Sequence, residues 1–223
     1  LENPESEDMN GDPFKWQHYG VFQGLSIPEV RGFAWWQAQN GKVLAIMHNQ
    51  SISIWDGNHF TKIELAGDNT CIKSGSDGNL WIGTTKGLNR IDPTGEMYSY
   101  TTVNAHFMSD VITAIGIMPT ENSSVSVWVA CDGFVKYSER GQSLDGSDKM
   151  PHLVKRRDGT TVTYDDYSVS DIRFQSTSLH YYDGLTWEKW RVAGIRDLFI
   201  DRNYIWAATN VRVRRMRIDH SDY

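Results

Sequence analysis

Asn79-Leu80-Trp81-Ile82-Gly83-Thr84, followed after two residues by Gly87-Leu88-Asn89-Arg90-Ile91-Asp92, decides how this chain folds. The first run is short and apolar, carries a Trp and ends on small residues. The second alternates, so the pair reads as two β-strands joined by a tight turn. The pattern recurs. Val127-Trp128-Val129-Ala130-Cys131 leads into Gly133-Phe134-Val135-Lys136-Tyr137, and Tyr204-Ile205-Trp206-Ala207-Ala208-Thr209 leads into Val211-Arg212-Val213-Arg214-Arg215. The shared Trp falls at 81, 128 and 206, and the second interval is close to two units of about 40 residues. Lys42-Val43-Leu44-Ala45-Ile46, leading to Ser51-Ile52-Ser53-Ile54-Trp55, is a fourth copy without the Trp.

A second signature follows these strand pairs. Ile54-Trp55-Asp56-Gly57-Asn58-His59-Phe60-Thr61-Lys62-Ile63 aligns with Tyr181-Tyr182-Asp183-Gly184-Leu185-Thr186-Trp187-Glu188-Lys189-Trp190. Asp-Gly between alternating runs marks a hairpin, because the turn needs positive φ values that these residues tolerate. Ile91 to Tyr100 is the same hairpin with a longer turn. Each unit therefore reads as four antiparallel strands in about 40 residues, the signature of a β-propeller blade.

Ser76-Asp77-Gly78-Asn79-Leu80-Trp81-Ile82-Gly83-Thr84-Thr85-Lys86-Gly87-Leu88-Asn89-Arg90 resembles the repeat of two-component-regulator propellers, and Leu185-Thr186-Trp187-Glu188-Lys189-Trp190 fits the outer strand of that repeat. The resemblance covers residues 14–218 and implies a propeller of the kind found in extracytoplasmic sensors and in secreted proteins. It implies a fold and not an activity. No histidine-kinase core or response-regulator segment accompanies it.

The expected fold is all-β, a five-bladed β-propeller of four-stranded antiparallel blades over residues 14–223, preceded by a tail over 1–13. Thr161-Val162-Thr163-Tyr164 is the expected outer strand of the third blade, after an insertion over about 138–160. Ser170 to Phe174 and Ser178 to Tyr182 would then start and continue a fourth. The last unit, Ile195 to Asp219, supplies only three strands, and Phe14-Lys15-Trp16-Gln17-His18-Tyr19 matches the missing one. An N-terminal strand closing the C-terminal blade would remove exposed edges. Four regular blades with a large insertion is the alternative count.

Composition narrows the function classes. The chain has 223 residues, 12% aromatic, with a formal net charge of −6. Acidity argues against nucleic acid as a partner, and no apolar run is long enough for a membrane span. Cys71 and Cys131 are too few for a disulfide framework and read as buried thiols, with one disulfide between them as the alternative. Leu1 in place of Met fits a removed leader or a trimmed chain, and an extracytoplasmic location, periplasmic or secreted, is expected.

No nucleophile elbow, zinc motif or phosphate loop is present, and the seven His are scattered among the units. No catalytic residue, metal or cofactor is therefore assigned. Asp77-Gly78-Asn79 supplies too few carboxylates for a calcium loop and reads as a turn. The starts of inner strands line a propeller's channel, and Arg31, Asp110, Asp171, Arg173 and Arg196 fall there. Charges so placed either pair with one another or form a polar mouth for a ligand. In Trp35-Trp36, alternation along a strand sends the two rings to opposite faces, so one packs between blades and the other meets a loop, the mouth or solvent. An exposed indole is a platform for a sugar ring.

These readings make Arg31, Trp35, Trp36, Asp110, Asp171, Arg173 and Arg196 the candidate ligand-binding residues. The expected function is a non-catalytic, sensor-like or lectin-like propeller that recognises a small molecule or glycan. A protein-binding scaffold and an extracellular polysaccharide lyase or hydrolase are the alternatives.

Overall fold

The computed structural model describes residues 17–27, 29–119, 125–136, 153–155, 161–163, 173–190, 195–201, 204–209 and 212–217. Apart from a 3-10 turn at Val21–Gln23, the regular structure among them is β. Strands β1 (Gly32–Ala38), β2 (Gly41–Met47), β3 (Ser51–Trp55) and β4 (Phe60–Glu64) form the first sheet in chain order. Strands β5 (Asn69–Ser74), β6 (Leu80–Thr84), β7 (Gly87–Ile91) and β8 (Met97–Tyr100) form the second. The third contains β9 (Ile112–Pro119) and β10 (Val125–Lys136). A separate hairpin, β11 (Leu153–Lys155) with β12 (Thr161–Thr163), comes before its remaining strands, β13 (Arg173–Tyr182) and β14 (Trp187–Trp190). Strands β15 (Ile195–Ile200), β16 (Tyr204–Thr209) and β17 (Val213–Arg217) make the fourth sheet. All pairings are antiparallel.

Three expectations change here. The described residues form four blade-like sheets and no closed five-blade ring. Residues 125–136 and 173–182 explain the difference: each is one long strand, and they pair continuously from Val127↔Tyr182 to Lys136↔Arg173. The segments assigned to two blades thus belong to one, with the insertion at the tip of their hairpin. Thr161–Thr163 is a strand, but it pairs with Leu153–Lys155 and not with a blade. Of the expected closing strand, residues 14–16 lie outside the described residues. Gln17, His18 and Tyr19 are not strand, and the Tyr19 ring rests on the first sheet, 4.9 Å from Trp55 and 5.9 Å from Phe60.

In the three four-stranded sheets the local organiser is the turn between the third and fourth strands. Asp56 Oδ1 accepts the N–H groups of Asn58 and His59, both at 2.7 Å. Asp183 Oδ1 accepts those of Leu185 and Thr186, also at 2.7 Å. Asp92 Oδ1 does the same for Thr94 at 2.9 Å and Glu96 at 3.0 Å. These hydrogen bonds hold all three carboxyls below the usual carboxylate range, led by the His59 amide for Asp56, the Thr94 hydroxyl for Asp92 and the Thr186 amide for Asp183. Gly57 and Gly184 each follow their Asp at φ 104°, a conformation that glycine alone adopts without strain.

Neighbouring sheets meet along their first strands: β1 on β5, β5 on β9, and β9 on β15. Three apolar seams result. Trp36, Ala45, Met47, Ile52, Ile72 and Ile82 fill the first. Trp81, Phe107, Ile115, Val127 and Val129 fill the second, and Trp128, Leu179, Leu198 and Ile205 the third. The alternating strands serve two seams at once, so Ile82 faces sheet one while Trp81 faces sheet three. At the ends this alternation leaves faces that no other sheet among the described residues covers, carrying Phe33 and Trp35 on the first sheet and Phe199 and Val213 on the fourth.

Candidate functional site

The expected division of the tandem Trp is present. Trp36 is 5% exposed and sits in the first seam, where its Nε1–H donates to the Gly78 carbonyl at 2.9 Å. Trp35, one residue back, is 57% exposed. It lies mid-strand on the exposed face of sheet one. Phe33, 62% exposed, lies on the same face two residues earlier. Lys42, on the adjoining β2, holds its Nζ 4.9 Å from the centre of the Trp35 ring. An aromatic pair beside a cation, on a rigid strand, can stack a ring and hold an oxygen-rich or anionic group. Phe33 and Lys42 were missed in the sequence, yet the alternation that separated Trp35 from Trp36 also places Phe33 beside Trp35.

The other candidates do not join this patch. Arg31 precedes β1 and pairs with Glu29 at 3.2 Å, both side chains being largely exposed. Asp110 is part-buried and occupied locally: its Oδ1 accepts the Thr102 N–H at 2.7 Å. Arg196 is exposed at the start of β15, where the pairing with β16 is irregular. Arg173 begins β13, and Asp171 lies outside the described residues.

Two buried Ser–His pairs also went unread. His48 Nδ1 lies 2.8 Å from the Glu29 carbonyl, which fixes the proton there, and its Nε2 accepts from Ser53 Oγ at 2.9 Å. Ser53 is in turn bonded to Ser26, at 2.8 Å between hydroxyls. On the third sheet, Ser178 Oγ donates to His180 Nε2 at 2.6 Å. The pairing resembles that of a nucleophile and its base, but all four side chains are sealed inside the sheets, so a substrate has no direct route to either hydroxyl. Burial pushes His180 down to about 4, with Lys189 adding to the effect.

The two thiols are unpaired, and burial pushes both up, Cys71 to about 11. Among the described residues, no group of three or more His, Cys, Asp or Glu is placed to hold a metal. Nor is any helix among them long and apolar enough to cross a membrane.

No family model matches the chain, and no curated protein does. Solved structures similar to it include two extracellular domains from B. thetaiotaomicron. One, from the putative hybrid two component system BT3049, is 15% identical with a TM-score of 0.42, over 90% of this chain and 30% of that one. The other, from the putative one component system BT4673, is 14% identical with a TM-score of 0.39, over 88% and 28%. A streptogramin B lyase structure is 14% identical with a TM-score of 0.33, over 87% of this chain and 71% of that one. The chain thus spans less than a third of the length of these two extracellular domains.

Proposed function

We propose that this chain is a non-catalytic, extracytoplasmic ligand-binding module built from propeller blades, sensor-like or lectin-like in role. Its ligand is a small molecule or glycan that stacks on the open face of sheet one. The observation that carries this reading is Trp35. It is a large aromatic side chain held 57% exposed on a rigid strand, beside exposed Phe33 and under Lys42. Burial of such a ring would be favourable, so its exposure on a strand whose opposite face packs Trp36 into the first seam fits a platform waiting for a partner. The sealed Ser–His pairs favour binding over catalysis.

A glycan array run beside thermal-shift measurements tests the reading. A reproducible glycan or small-molecule hit is expected, weakened about tenfold or more by Trp35→Ala, in line with loss of a stacking contact and a good neighbour. Lys42→Ala should weaken an anionic hit more than a neutral one. Silence across the array, with no shift in melting temperature, would overturn it. A hit that keeps its affinity in Trp35→Ala would place the site elsewhere.

A further inference from the structure

The first three sheets each have a fourth strand. In the last, β15, β16 and β17 stand in that order, and among the described residues nothing pairs with the outer side of β17. The third strand of a sheet is elsewhere an interior one. β3 and β7 are buried almost throughout, as are residues 178–182 of β13, whereas Val213–Arg217 is exposed along its whole length. Such an edge presents a row of backbone N–H and C=O groups without a ladder partner, a template for one more strand.

The side chains of this edge set it apart as much as its backbone. In a chain of net charge −6, Arg212, Arg214, Arg215 and Arg217 crowd into one short run, all of them exposed. Among the described residues no ion pair to a carboxylate involves any of the four. Cross-strand neighbours sort them onto two faces. Val213, Arg215 and Arg217 lie on the side of Ala208, Trp206 and Tyr204, where the Arg215 guanidinium stands 4.5 Å from the Tyr204 ring and 5.4 Å from that of Trp206. Arg214 and Met216 lie on the other side, with Ala207 and Ile205. Both faces of the edge are therefore basic, and Val213 and Met216 are its exposed apolar positions.

We infer that the β17 edge binds an acidic segment of another protein, which adds to sheet four as its fourth strand. Main-chain hydrogen bonds along the edge hold the segment, and its carboxylates meet the arginines. In the other three sheets the fourth strand runs antiparallel to the third. In that orientation the segment reads, from its N-terminus, an acid opposite Arg217, an apolar residue opposite Met216, acids opposite Arg215 and Arg214, and an apolar residue opposite Val213. Directly opposed side chains on paired strands lie about 5 Å apart, close enough for each carboxylate to accept from its guanidinium fork. Charge on an edge strand also guards it against indiscriminate pairing. Here the guard is selective. The β17 of a second copy would set at least one Arg opposite another, whereas an acidic strand meets a complementary charge at every Arg it faces. The edge belongs to sheet four and asks nothing of the stacking platform at Trp35.

The test titrates the intact 15N-labelled chain with the acetylated and amidated peptide Glu-Val-Glu-Glu-Val and follows the β17 amides by chemical shift and by hydrogen exchange. Saturable shifts centred on β17 are expected, with slower exchange of those β17 amides that β16 does not hold. Lys-Val-Lys-Lys-Val at equal ionic strength should leave the spectrum still. Two further copies of the acidic peptide, N-methylated at alternate residues in the two possible phases, separate strand pairing from charge attraction. One phase blocks the N–H groups that face β17, so one copy should lose binding and the other keep it. Arg214→Glu combined with Arg217→Glu should weaken the acidic peptide about tenfold or more and admit the basic one, a rescue that a misfolded variant could not show. Absence of binding by the acidic peptide would overturn the proposal, as would binding that the two N-methylated copies keep or lose alike. Protection of the outer β17 amides before any peptide is added would also overturn it. The edge would then belong to this chain's own residues or, where protection grows with protein concentration, to a second copy.

Discussion

His180 shows what a single residue contributes and hides. Its ring accepts from the Ser178 hydroxyl at 2.6 Å and from the Met108 amide at 3.5 Å, and it lies 4.8 Å from the Phe107 ring. A proton on Nε2 would cost the Met108 bond, turn the Ser178 hydroxyl from donor to acceptor and place a charge in the seam, near Lys189, which burial and like charge oppose. Unfolded, the ring titrates near 6.5; folded, at about 4. The pKa is depressed, so His180 supports folding fully above pH 6.5, progressively less as pH falls towards 4, and at a constant lower level below that. The difference is worth about 3 kcal/mol. Urea denaturation between pH 7.5 and 4 should therefore show a loss of stability that is largely missing in His180→Leu, whatever that variant's stability at neutral pH. Equal slopes would contradict a buried neutral ring. None of this was legible in the sequence, where the seven His look alike. His180 is distinguished by Phe107 and Met108, which come from a loop far away in the chain, and local pattern carries no trace of that contact.

Hairpins sit at the opposite extreme. Asp56-Gly57 and Asp183-Gly184 could be read directly, because an Asx turn is made by residues two and three apart and needs nothing from the rest of the fold. Replacing Asp56 or Asp183 by Ala leaves two turn amides without their carboxylate, and each change should lower Tm by about 2–4 °C. The turns stand on different sheets, so the double variant should lose the sum. A scanning-calorimetry comparison of the three variants checks this, and a double variant no worse than the singles would show that the turns are not separate supports. The carboxyls are depressed, so their contribution is complete above the usual Asp pKa near 3.9 and declines as pH falls below it. That window lies below the His180 window and separates the two effects. The third sheet was misread for the converse reason. Strands β10 and β13 pair across an insertion of more than thirty residues, and Ser170 to Phe174 looks locally like a fresh start. Only the register, unbroken from Tyr182 back to Arg173, shows one strand.

At the scale of the molecule, repetition made the sheet architecture legible and left the number of sheets and their closure open. Each repeat encodes a sheet with two apolar faces, but it does not encode what the outermost faces meet. Trp81, Trp128 and Trp206 occupy one position in three successive sheets, so they measure that difference directly. The first two are buried by the following sheet, at 1% and 3% exposure, whereas Trp206 is part-exposed on a face that also shows Phe199 and Val213. Trp128→Ala removes a ring from a filled seam and should cost about 3–5 kcal/mol. Trp206→Ala gives up partial burial, the bond to Asp201 and the Arg215 stack, and should cost about 1–2 kcal/mol. Chemical denaturation of the two variants gives the ranking, and it should not change with protein concentration. Equal costs would mean that the Trp206 face is covered in solution. A concentration-dependent cost would then assign the cover to a second copy, and a concentration-independent one to this chain's own first sheet, whose open face carries Phe33 and Trp35. The second outcome would place the proposed stacking platform inside a closed ring and so remove it. The Trp206 measurement thus bears on function as well as on architecture: an open end is a condition for ligand binding at Trp35.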